Sequence, residues 1–222
     1  MNIDVTNGNV AEGYKEILVK KTPYKVFKRT MDVLLSVLGL IILSPVFAII
    51  ALAIKIESKG PVFFKHTRIG KNGKIIKMYK FRSMVENAEE LIKKFTPEQM
   101  KEYKENYKLT DDPRITKVGK FLRKTSLDEL PQLLNIIKGE LSIIGPRPVV
   151  QEELEKYGAN AEKFLSVTPG LTGYWAANGR SCTTYEERMD MELYYVDNLS
   201  LKLDLKVFFK TIEAVIKREG AM

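Results

Sequence analysis

The sequence predicts a mainly α-helical protein with small β elements, in which a re-entrant membrane helix (helix–break–helix) and amphipathic interfacial helices accompany a compact cytoplasmic domain. Three observations predict this class. Residues 33–54 contain no charged side chain in 22 consecutive positions. Residues 55–82 follow at once and carry nine lysines and arginines against one glutamate. The chain of 222 residues is 45% hydrophobic and 29% charged, which excludes both wholesale disorder and a polytopic membrane protein.

The rare side chains limit the chemistry that the chain can perform. Cys182 is the single cysteine and His66 the single histidine, so a disulfide framework, a cysteine-cluster metal site and a histidine-rich zinc site are excluded. We interpret both as structural or surface residues. Any catalysis must rest on carboxylates, hydroxyls, lysines or arginines. The single tryptophan, Trp175, and its neighbour Tyr174 fit either stacking on a base or sugar or, as is commoner, a place in the core.

The first 58 residues divide into a lead and an apolar segment. Residues 1–23 are predicted to be a flexible N-terminal lead, and residues 24–58 a membrane segment. An uncharged run of this length is a transmembrane candidate, because about 20 helical residues cross the hydrocarbon core. It starts too late and is too long for the apolar part of a signal peptide. The alternative, a buried core helix of a soluble protein, is usually shorter and interrupted by polar residues.

Both ends of the apolar segment are predicted to lie on the cytoplasmic face. Lysines and arginines favour that face, and they flank the segment on both sides, so the alternative of a plain single span satisfies only one flank. Ser44-Pro45 lies in the middle, and a proline there breaks or kinks a helix. Residues 33–44 rise only about 18 Å as a helix, roughly one leaflet. We therefore predict a re-entrant hairpin broken at Ser44-Pro45.

Residues 59–222 are predicted to form the cytoplasmic domain. Residues 60–84 contain strand-like runs around a Gly-Lys-Asn-Gly turn. Helices are predicted at 85–95, 97–108, 115–124, about 128–138, 151–165, about 184–197 and 200–218. Thr96-Pro97 has the residue types of a cap and a first helical position. The last helix has apolar residues surrounded by lysines, which fits a membrane-surface helix and equally an ordinary helix packed on a core.

The adjacent carboxylates Asp128 and Glu129 are the first candidates for chemistry. If Asp128 caps a helix, Pro131 falls in the first turn, where its missing N–H costs little, and the helix dipole keeps the carboxylate ionised. An ionised, fixed carboxylate suits a nucleophile at phosphorus or a magnesium ligand. The alternative is a structural capping box made by Ser126 and Glu129. The sequence leaves these two interpretations open.

Several arginines are candidates for binding an anion. Arg147 stands between Pro146 and Pro148, whose rings fix the backbone on either side, and its planar guanidinium suits phosphate. Arg123 shortly precedes the acid pair, and Arg180 follows the segment that contains the tryptophan. Arginines around a carboxylate pair, close to a basic segment at a membrane, predict an anionic substrate.

The chain resembles the bacterial sugar transferases, also called polyprenyl-phosphate glycosyl-1-phosphate transferases, of the monotopic phosphoglycosyl transferase superfamily. The resemblance runs from about Lys28 to Ala221 and rests on several motifs in one order. These are Lys28-Arg29-x-x-Asp32, Ser44-Pro45, Gly60-Pro61-Val62-Phe63-Phe64, Lys80-Phe81-Arg82-Ser83-Met84, Thr125-Ser126-Leu127-Asp128-Glu129-Leu130-Pro131-Gln132, Gly145-Pro146-Arg147-Pro148 and Pro169-Gly170-Leu171-Thr172-Gly173-Tyr174-Trp175. It implies the short form of the family, a catalytic core with a short lead.

The resemblance implies an activity and a site. The family transfers a sugar 1-phosphate from a nucleotide-sugar, usually a UDP-sugar, to undecaprenyl phosphate with release of UMP. This is the first membrane step of exopolysaccharide, capsule, O-antigen or glycoprotein glycan assembly. Asp128 matches the nucleophile of a ping-pong mechanism through an aspartyl-phosphosugar, Glu129 matches the second acid, and the implied cofactor is Mg²⁺ on this pair. The implied substrate- or phosphate-binding residues are Arg123, Arg147, Arg180, Lys80, Arg82 and Glu192. Glu192 is a departure, since many relatives have aspartate there.

The resemblance also implies partners and a location. The expected partners are the nucleotide-sugar donor, the undecaprenyl phosphate acceptor and membrane lipid, with a homodimer as a further possible partner and no nucleic acid. The chain is expected at the cytoplasmic membrane as a monotopic protein, with residues 59–222 as a catalytic domain on the cytoplasmic face. Two rival functions stay open. One is a membrane-anchored basic binding module for acidic lipid or nucleic acid, for which residues 55–82 are suited. The other is a glycosyltransferase that releases UDP.

Overall fold

The computed structural model describes residues 22–106, 109–179 and 183–217, and their fold is mostly helical with small sheets, as predicted. The predicted lead, residues 1–23, lies outside the described residues except for its last two. The elements in chain order are α1 (Thr22–Glu57), β1 (Phe63–Ile69), β2 (Ile75–Phe81), α2 (Ala88–Ile92), α3 (Pro97–Asn106), α4 (Lys117–Lys124), α5 (Leu133–Lys138), β3 (Ser142–Ile144), α6 (Gln151–Glu155), α7 (Ala161–Leu165), β4 (Gly170–Thr172), α8 (Tyr174–Asn178), α9 (Tyr185–Asp197) and α10 (Leu201–Lys217). Short 3-10 helices cover Lys71–Gly73, Leu127–Gln132 and Gly158–Asn160.

The helix α1 is the long apolar helix that the sequence predicts. It has 36 residues and is long and apolar enough to cross a membrane. Only 11% of its most apolar stretch of 18 residues is buried inside the protein. The helix continues through Pro45, so the predicted break at Ser44-Pro45 is wrong as a break in secondary structure. Proline removes one N–H donor, and the turns on either side keep their own hydrogen bonds. The re-entrant course and the membrane location of α1 stay predictions.

The described chain forms two compact units. The first holds described residues within 22–41, 66–78 and 132–217, and the second holds those within 42–65 and 79–131. The helix α1 and the strands β1 and β2 each continue from one unit into the other. The predicted division between residues 58 and 59 stays a prediction.

The first unit is built around a short parallel sheet and the last two helices. Strand β3 pairs with β4 in parallel, with Ser142 opposite Gly170 and Ile144 opposite Thr172. The strands β1 and β2 also pair, and the predicted turn between them is confirmed. Its Asn72 has φ 55°, a left-handed conformation that asparagine tolerates. The largest core cluster of this unit joins β3 to α9 and α10 and contains Ile144, Val167, Tyr195, Val196, Leu199, Leu203 and Val207.

The start of α1 is tied to the first unit by a buried carboxylate. Asp204 of α10 is 5% exposed, and three donors share its oxygens. Tyr24 Oη lies 2.6 Å and Lys28 Nζ 2.8 Å from Oδ2, and Tyr195 Oη lies 2.6 Å from Oδ1. A buried charge is tolerated when it is paired and hydrogen-bonded, and these donors supply both conditions.

The two faces of α10 fit both predicted interpretations of this helix, a membrane-surface helix and a helix packed on a core. One face packs on the core and carries Leu203, Val207 and Ala214. The opposite face exposes Leu201, Leu205, Phe209 and Ile212. Lys202, Lys206 and Lys217 are also exposed along the helix. The helix is therefore a core helix with an apolar, lysine-flanked outer face, which is the pattern of a membrane-surface helix.

The second unit packs the end of α1 against β2 and α4, the elements that carry Lys80 and Arg123. Ile50 and Ile54 of α1 are buried with Phe81 of β2 and Leu122 of α4. Phe81 and Leu122 are each 1% exposed. Burial of these side chains supplies the hydrophobic stabilisation that fixes β2 and α4, and both elements bear residues predicted for the site.

Candidate active site

Asp128 and Glu129 lie in a 3-10 helix and not at the start of an α-helix. The 3-10 helix spans Leu127–Gln132, and α5 begins only after it. Both predicted registers, with Ser126 or Asp128 as the cap of an α-helix, are therefore wrong. Pro131 explains the difference, because it lacks an N–H and disfavours the α conformation at the residue before it.

Lys80 places a positive charge next to both carboxylates. Its Nζ atom, at the end of β2, lies 2.6 Å from Glu129 Oε1 and 3.8 Å from Asp128 Oδ2. The ammonium donates a hydrogen bond to Glu129 and forms a longer ion pair with Asp128. Lys80 is predicted from the resemblance to bind substrate or phosphate, and the structure brings it to the acid pair itself.

Asp128 is the more buried of the two acids. Its side chain is 12% exposed, whereas that of Glu129 is 30% exposed. Burial raises the pKa of Asp128 above its ordinary value, while the charge of Lys80 lowers it, that of Glu129 raises it and that of Arg123 lowers it. The expectation that a helix dipole keeps this carboxylate ionised is not met. The ionised form depends instead on the cations Lys80 and Arg123.

Arg123 comes to the acid pair because α4 lies directly against Ser83. The Arg123 Nε atom donates to Ser83 Oγ at 2.9 Å. Gly119 permits this approach, because a Cβ there would collide with the Ser83 carbonyl oxygen. The Glu57 carboxylate accepts two N–H groups of the first turn of α4 at 2.7 and 2.9 Å. Burial lowers the pKa of Arg123, and the charge of Asp128 opposes this effect.

Arg82 uses its guanidinium within the fold. It is 7% exposed and donates to the carbonyl oxygen of Lys59, and to the carbonyl oxygen and hydroxyl of Ser58 at 2.8 and 2.9 Å. These bonds tie the end of β2 to the chain that follows α1. The predicted role of Arg82 in phosphate binding stays a prediction, and its described bonds are structural.

The acid pair has the chemistry of a small magnesium site. Mg²⁺ is usually bound by one or two carboxylates, with waters and substrate phosphates as the other ligands. Within the described residues no group of three or more metal-ligating side chains is arranged around one point. The Mg²⁺ that the resemblance implies on Asp128 and Glu129 stays a prediction. The ammonium of Lys80 lies against an oxygen of each of these carboxylates.

The other predicted residues fall in the first unit. The Arg147 N–H donates to Glu192 Oε1 at 3.0 Å, while the Arg147 side chain is exposed. Glu192 is 1% exposed, and burial raises its pKa to about 7, against the Arg147 hydrogen bond and the charges of Arg188 and Arg147. Glu192 is therefore behind the Arg147 backbone and not on an open surface. Arg180 lies outside the described residues.

Sequence reasoning missed Arg188, a buried charged residue that lies near Arg147 and Glu192. Arg188 is 8% exposed, and its Nη1 atom donates to Glu153 Oε1 at 2.9 Å. Its guanidinium lies 4.7 Å from the centroid of the Trp175 ring, and that of Arg147 lies 5.9 Å from the same ring. The available signal was spacing, because Arg188 and Glu192 are four residues apart on one helix and so share a face.

Comparisons with known proteins extend the resemblance. Residues 23–218 match the bacterial sugar transferase family. The chain is 49% identical over 197 residues to the exopolysaccharide production protein ExoY of Sinorhizobium fredii, across 87% of each chain. It is 42% identical over 204 residues to the undecaprenyl-phosphate galactose phosphotransferase of Salmonella typhimurium, across 90% of this chain and 43% of that relative.

A third relative is, like the Salmonella protein, longer than this chain and matched over less than half of its length. The UDP-glucose:undecaprenyl-phosphate glucose-1-phosphate transferase of Escherichia coli is 40% identical over 197 residues, across 85% of this chain and 40% of that relative. The chain thus spans most of the first relative and about two fifths of the length of the other two. The family match covers almost the whole described chain, and the chain therefore belongs to the bacterial sugar transferase family.

Proposed function

We propose that the protein transfers a sugar 1-phosphate from a UDP-sugar to undecaprenyl phosphate and releases UMP, as an early step in the assembly of an exopolysaccharide or a related surface glycan. The names of the Salmonella and Escherichia relatives specify transfers of this kind to undecaprenyl phosphate. The observation that carries the proposal is the buried Asp128 beside Glu129, with Lys80 in contact with both acids and the charge of Arg123 acting on Asp128.

The proposed reaction has two displacements at one phosphorus. In the first, an Asp128 carboxylate oxygen attacks the phosphorus that bears the sugar, and the bond from that phosphorus to the oxygen of UMP breaks. UMP leaves, and an aspartyl-phosphosugar remains. In the second, a phosphate oxygen of undecaprenyl phosphate attacks the same phosphorus, and Asp128 leaves as a carboxylate. A covalent intermediate lets one site serve a soluble donor and a lipid acceptor in turn.

The surrounding residues supply charge and position. Asp128 reacts as a carboxylate, and Lys80 and Arg123 favour that form against the effect of burial. Glu129 holds Lys80 in place through the 2.6 Å hydrogen bond. Mg²⁺, held by Asp128 and Glu129, would supply neutralisation of the diphosphate charge. Phosphoryl transfer depends chiefly on positioning and charge neutralisation, and these are the roles that the residues fill.

We also propose that α1 and the outer face of α10 hold the chain at the cytoplasmic face of the membrane. The length and hydropathy of α1 and the exposed apolar side chains of both helices support this location. The re-entrant course of α1 accounts for basic residues at both of its ends. A site at the level of the headgroups lets the acceptor react while its long chain stays in the bilayer.

The central experiment is covalent labelling of the full chain in detergent micelles. A UDP-sugar labelled in the phosphate next to the sugar is added with Mg²⁺ and without acceptor, and protein-bound label is measured. We expect label on the wild type and none on Asp128→Asn. Addition of undecaprenyl phosphate should remove the label and release UMP. Asp111→Asn is the matched control, since its side chain is 97% exposed, and it should behave as the wild type does.

The products separate this proposal from its rivals. A binding module predicts no turnover with any donor, and a glycosyltransferase predicts UDP in place of UMP. If Asp128→Asn is still labelled and still releases UMP, Asp128 is not the nucleophile. UDP-glucose and UDP-galactose are the first donors to test, because the names of the relatives specify these two sugars.

A further inference from the structure

Glu192 is a buried carboxylate that the proposed displacements do not use. It is 1% exposed, and its Oε1 atom accepts the N–H of Arg147 at 3.0 Å. Its Oε2 atom is buried without a hydrogen-bond partner among the described residues. A buried charge with one unsatisfied oxygen destabilises a fold unless another interaction compensates for it.

Arg188 lies one helical turn from Glu192 on α9 and is the nearest cation of that helix to act on it. Its positive charge acts directly on Glu192. It is itself 8% exposed and is ion-paired with Glu153 at 2.9 Å. Tyr157 and Tyr185 also lie close enough for the charge of Glu192 to raise their pKa values, after the larger effect of burial. Arg188 and Glu192 thus interact only through charge beneath the loop that carries Arg147, because the ion pair of Arg188 is with Glu153.

The main chain around Arg147 is fixed by three hydrogen bonds. The Gly145 N–H donates to the Thr172 carbonyl at 2.9 Å, and the Pro146 carbonyl accepts the Gly170 N–H at 2.8 Å. Glu192 adds the third bond, to the N–H of Arg147 itself. The flanking prolines restrict the backbone further. The result is a rigid loop whose conformation depends on a side chain of α9.

The guanidinium of Arg147 remains available to a ligand. Within the described ranges it makes no hydrogen bond or ion pair, and its close neighbour is the ring of Trp175 at 5.9 Å. Two further guanidiniums lie near it. Burial lowers the pKa of Arg68, the charges of Arg147 and Arg188 lower it further, and those of Glu153 and Glu152 oppose them. Guanidiniums that repel one another favour an anionic ligand, and their geometry suits phosphate.

We propose that Glu192 is a positioning residue that holds the Arg147 loop so that the Arg147 guanidinium binds a substrate phosphate. The inference rests on the proposed function. It adds a reason why Arg147 is held in place, which is the hydrogen bond from its N–H to Glu192. The phosphate belongs either to the UDP-sugar or to undecaprenyl phosphate. Glu192 acts through Arg147 and does not touch the substrate.

A double-mutant cycle tests this coupling. UMP release is measured for the wild type, Arg147→Ala, Glu192→Leu and the double variant, with each substrate varied in turn. We expect Glu192→Leu to raise the KM of one substrate at least about tenfold, the scale of one charge-assisted hydrogen bond. In the Arg147→Ala background the same substitution should change that KM less than about twofold. The substrate whose KM changes identifies the source of the phosphate.

Two further variants separate positioning from loss of fold. Glu192→Gln keeps an oxygen that accepts the Arg147 N–H, so the KM should stay within about threefold of the wild type. Glu186→Gln removes an exposed charge from the same helix and should change nothing. Fold-changes that multiply in the double variant, or unchanged KM values in Glu192→Leu, would overturn the inference.

Binding measurements keep this inference distinct from the proposed function. If the wild type releases no UMP with any donor, the proposed function fails. The same four proteins are then titrated with UMP and, in nanodiscs, with undecaprenyl phosphate. Non-additive loss of affinity for one of these ligands supports the positioning role, and additive or absent loss rejects it.

Discussion

Glu192→Gln should change how the stability of the protein depends on pH. In the folded chain, burial raises the pKa of Glu192 from its ordinary 4.5 to about 7. The unfolded chain releases this proton at its ordinary pKa of 4.5. Between these values the folded state binds more protons, so stability falls as pH rises. The contribution of Glu192 is present below about pH 4.5 and is lost as pH rises through about 7.

The size of the effect follows from the two pKa values of Glu192. They differ by about 2.5, and each pH unit corresponds to about 1.4 kcal/mol, so the free energy of unfolding should fall by about 3 kcal/mol between pH 4 and pH 8. Glutamine stays neutral and lacks this dependence. For a chain of this length, 1 kcal/mol moves Tm by roughly 2–4 °C. The Tm of Glu192→Gln should therefore rise by roughly 6–12 °C relative to the wild type across this range.

Thermal unfolding in micelles at a series of pH values measures this difference. Glu186→Gln serves as the control, because it removes a charge of the same sign from an exposed position on α9. Its Tm should follow that of the wild type at every pH. A Tm difference between Glu192→Gln and the wild type that is the same at pH 4 and pH 8 would refute the assignment of a buried, proton-binding carboxyl to this position.

Four further predictions concern the site, the anchor and the membrane. Lys80→Met removes the cation beside the acid pair, so the rate of UMP release should fall at least about a hundredfold. The acid limb of the pH–rate profile should move to higher pH, because Lys80 lowers the pKa of Asp128. An unchanged pH–rate profile argues against this role. Chelation of divalent cations should stop UMP release and added Mg²⁺ should restore it, whereas full turnover in chelator contradicts the cofactor. Asp204→Leu leaves a lysine unpaired and should lower the free energy of unfolding by about 3–5 kcal/mol in denaturant titrations; an unchanged midpoint excludes a stabilising carboxylate. In a Cys182→Ser background, cysteines placed at Lys20 and Lys74 should escape an impermeant maleimide in intact cells, and labelling of either one rejects the re-entrant course.

Local signals predicted much of the fold because their physics is local. The Gly-Lys-Asn-Gly segment predicted a turn, and Asn72 takes the positive φ that such a turn requires. Thr96 and Pro97 predicted a helix start. The Thr96 hydroxyl accepts the Gln99 N–H at 3.2 Å, and the Gln99 side chain accepts the Thr96 N–H at 3.0 Å. In both cases a few neighbouring residues determine the conformation.

Predictions that depended on a single proline were less accurate. Pro45 was expected to break α1, yet the helix continues through it. Pro131 was expected in the first turn of an α-helix, and it lies instead within a 3-10 helix. A proline fixes its own φ and removes one donor, but packing of the flanking residues decides whether a helix ends. Ile50 and Ile54, which follow Pro45 and are buried in the core of the second unit, provide such packing.

The candidate site was predicted as a set of residue types, and its pairing was not. Asp128 and Glu129 were found because they are adjacent, but their partner Lys80 is 49 positions from Glu129. No sequence period connects residues at such a separation. Burial of Asp128 was missed for the same reason, because the residues that exclude water from it come from distant segments. A helix dipole was therefore expected to control its pKa, although burial has the larger effect.

The position of Lys80 changes the interpretation of the basic segment 55–82. The segment was predicted to hold the end of the apolar helix on the cytoplasmic face, near anionic headgroups and substrates, and its members differ in exposure. Lys55, Lys59, Lys65, Lys74 and Lys77 are exposed, whereas Lys80 is partly buried and Arg82 is buried. The exposed lysines fit attraction to anionic headgroups, which acts through solvent and is screened by salt. Lys80 acts at hydrogen-bond distance in a partly buried site, where screening is weak. Raising the salt concentration should therefore weaken membrane attachment well before it disturbs the charge balance of the acid pair, so one basic segment performs two physically separable tasks.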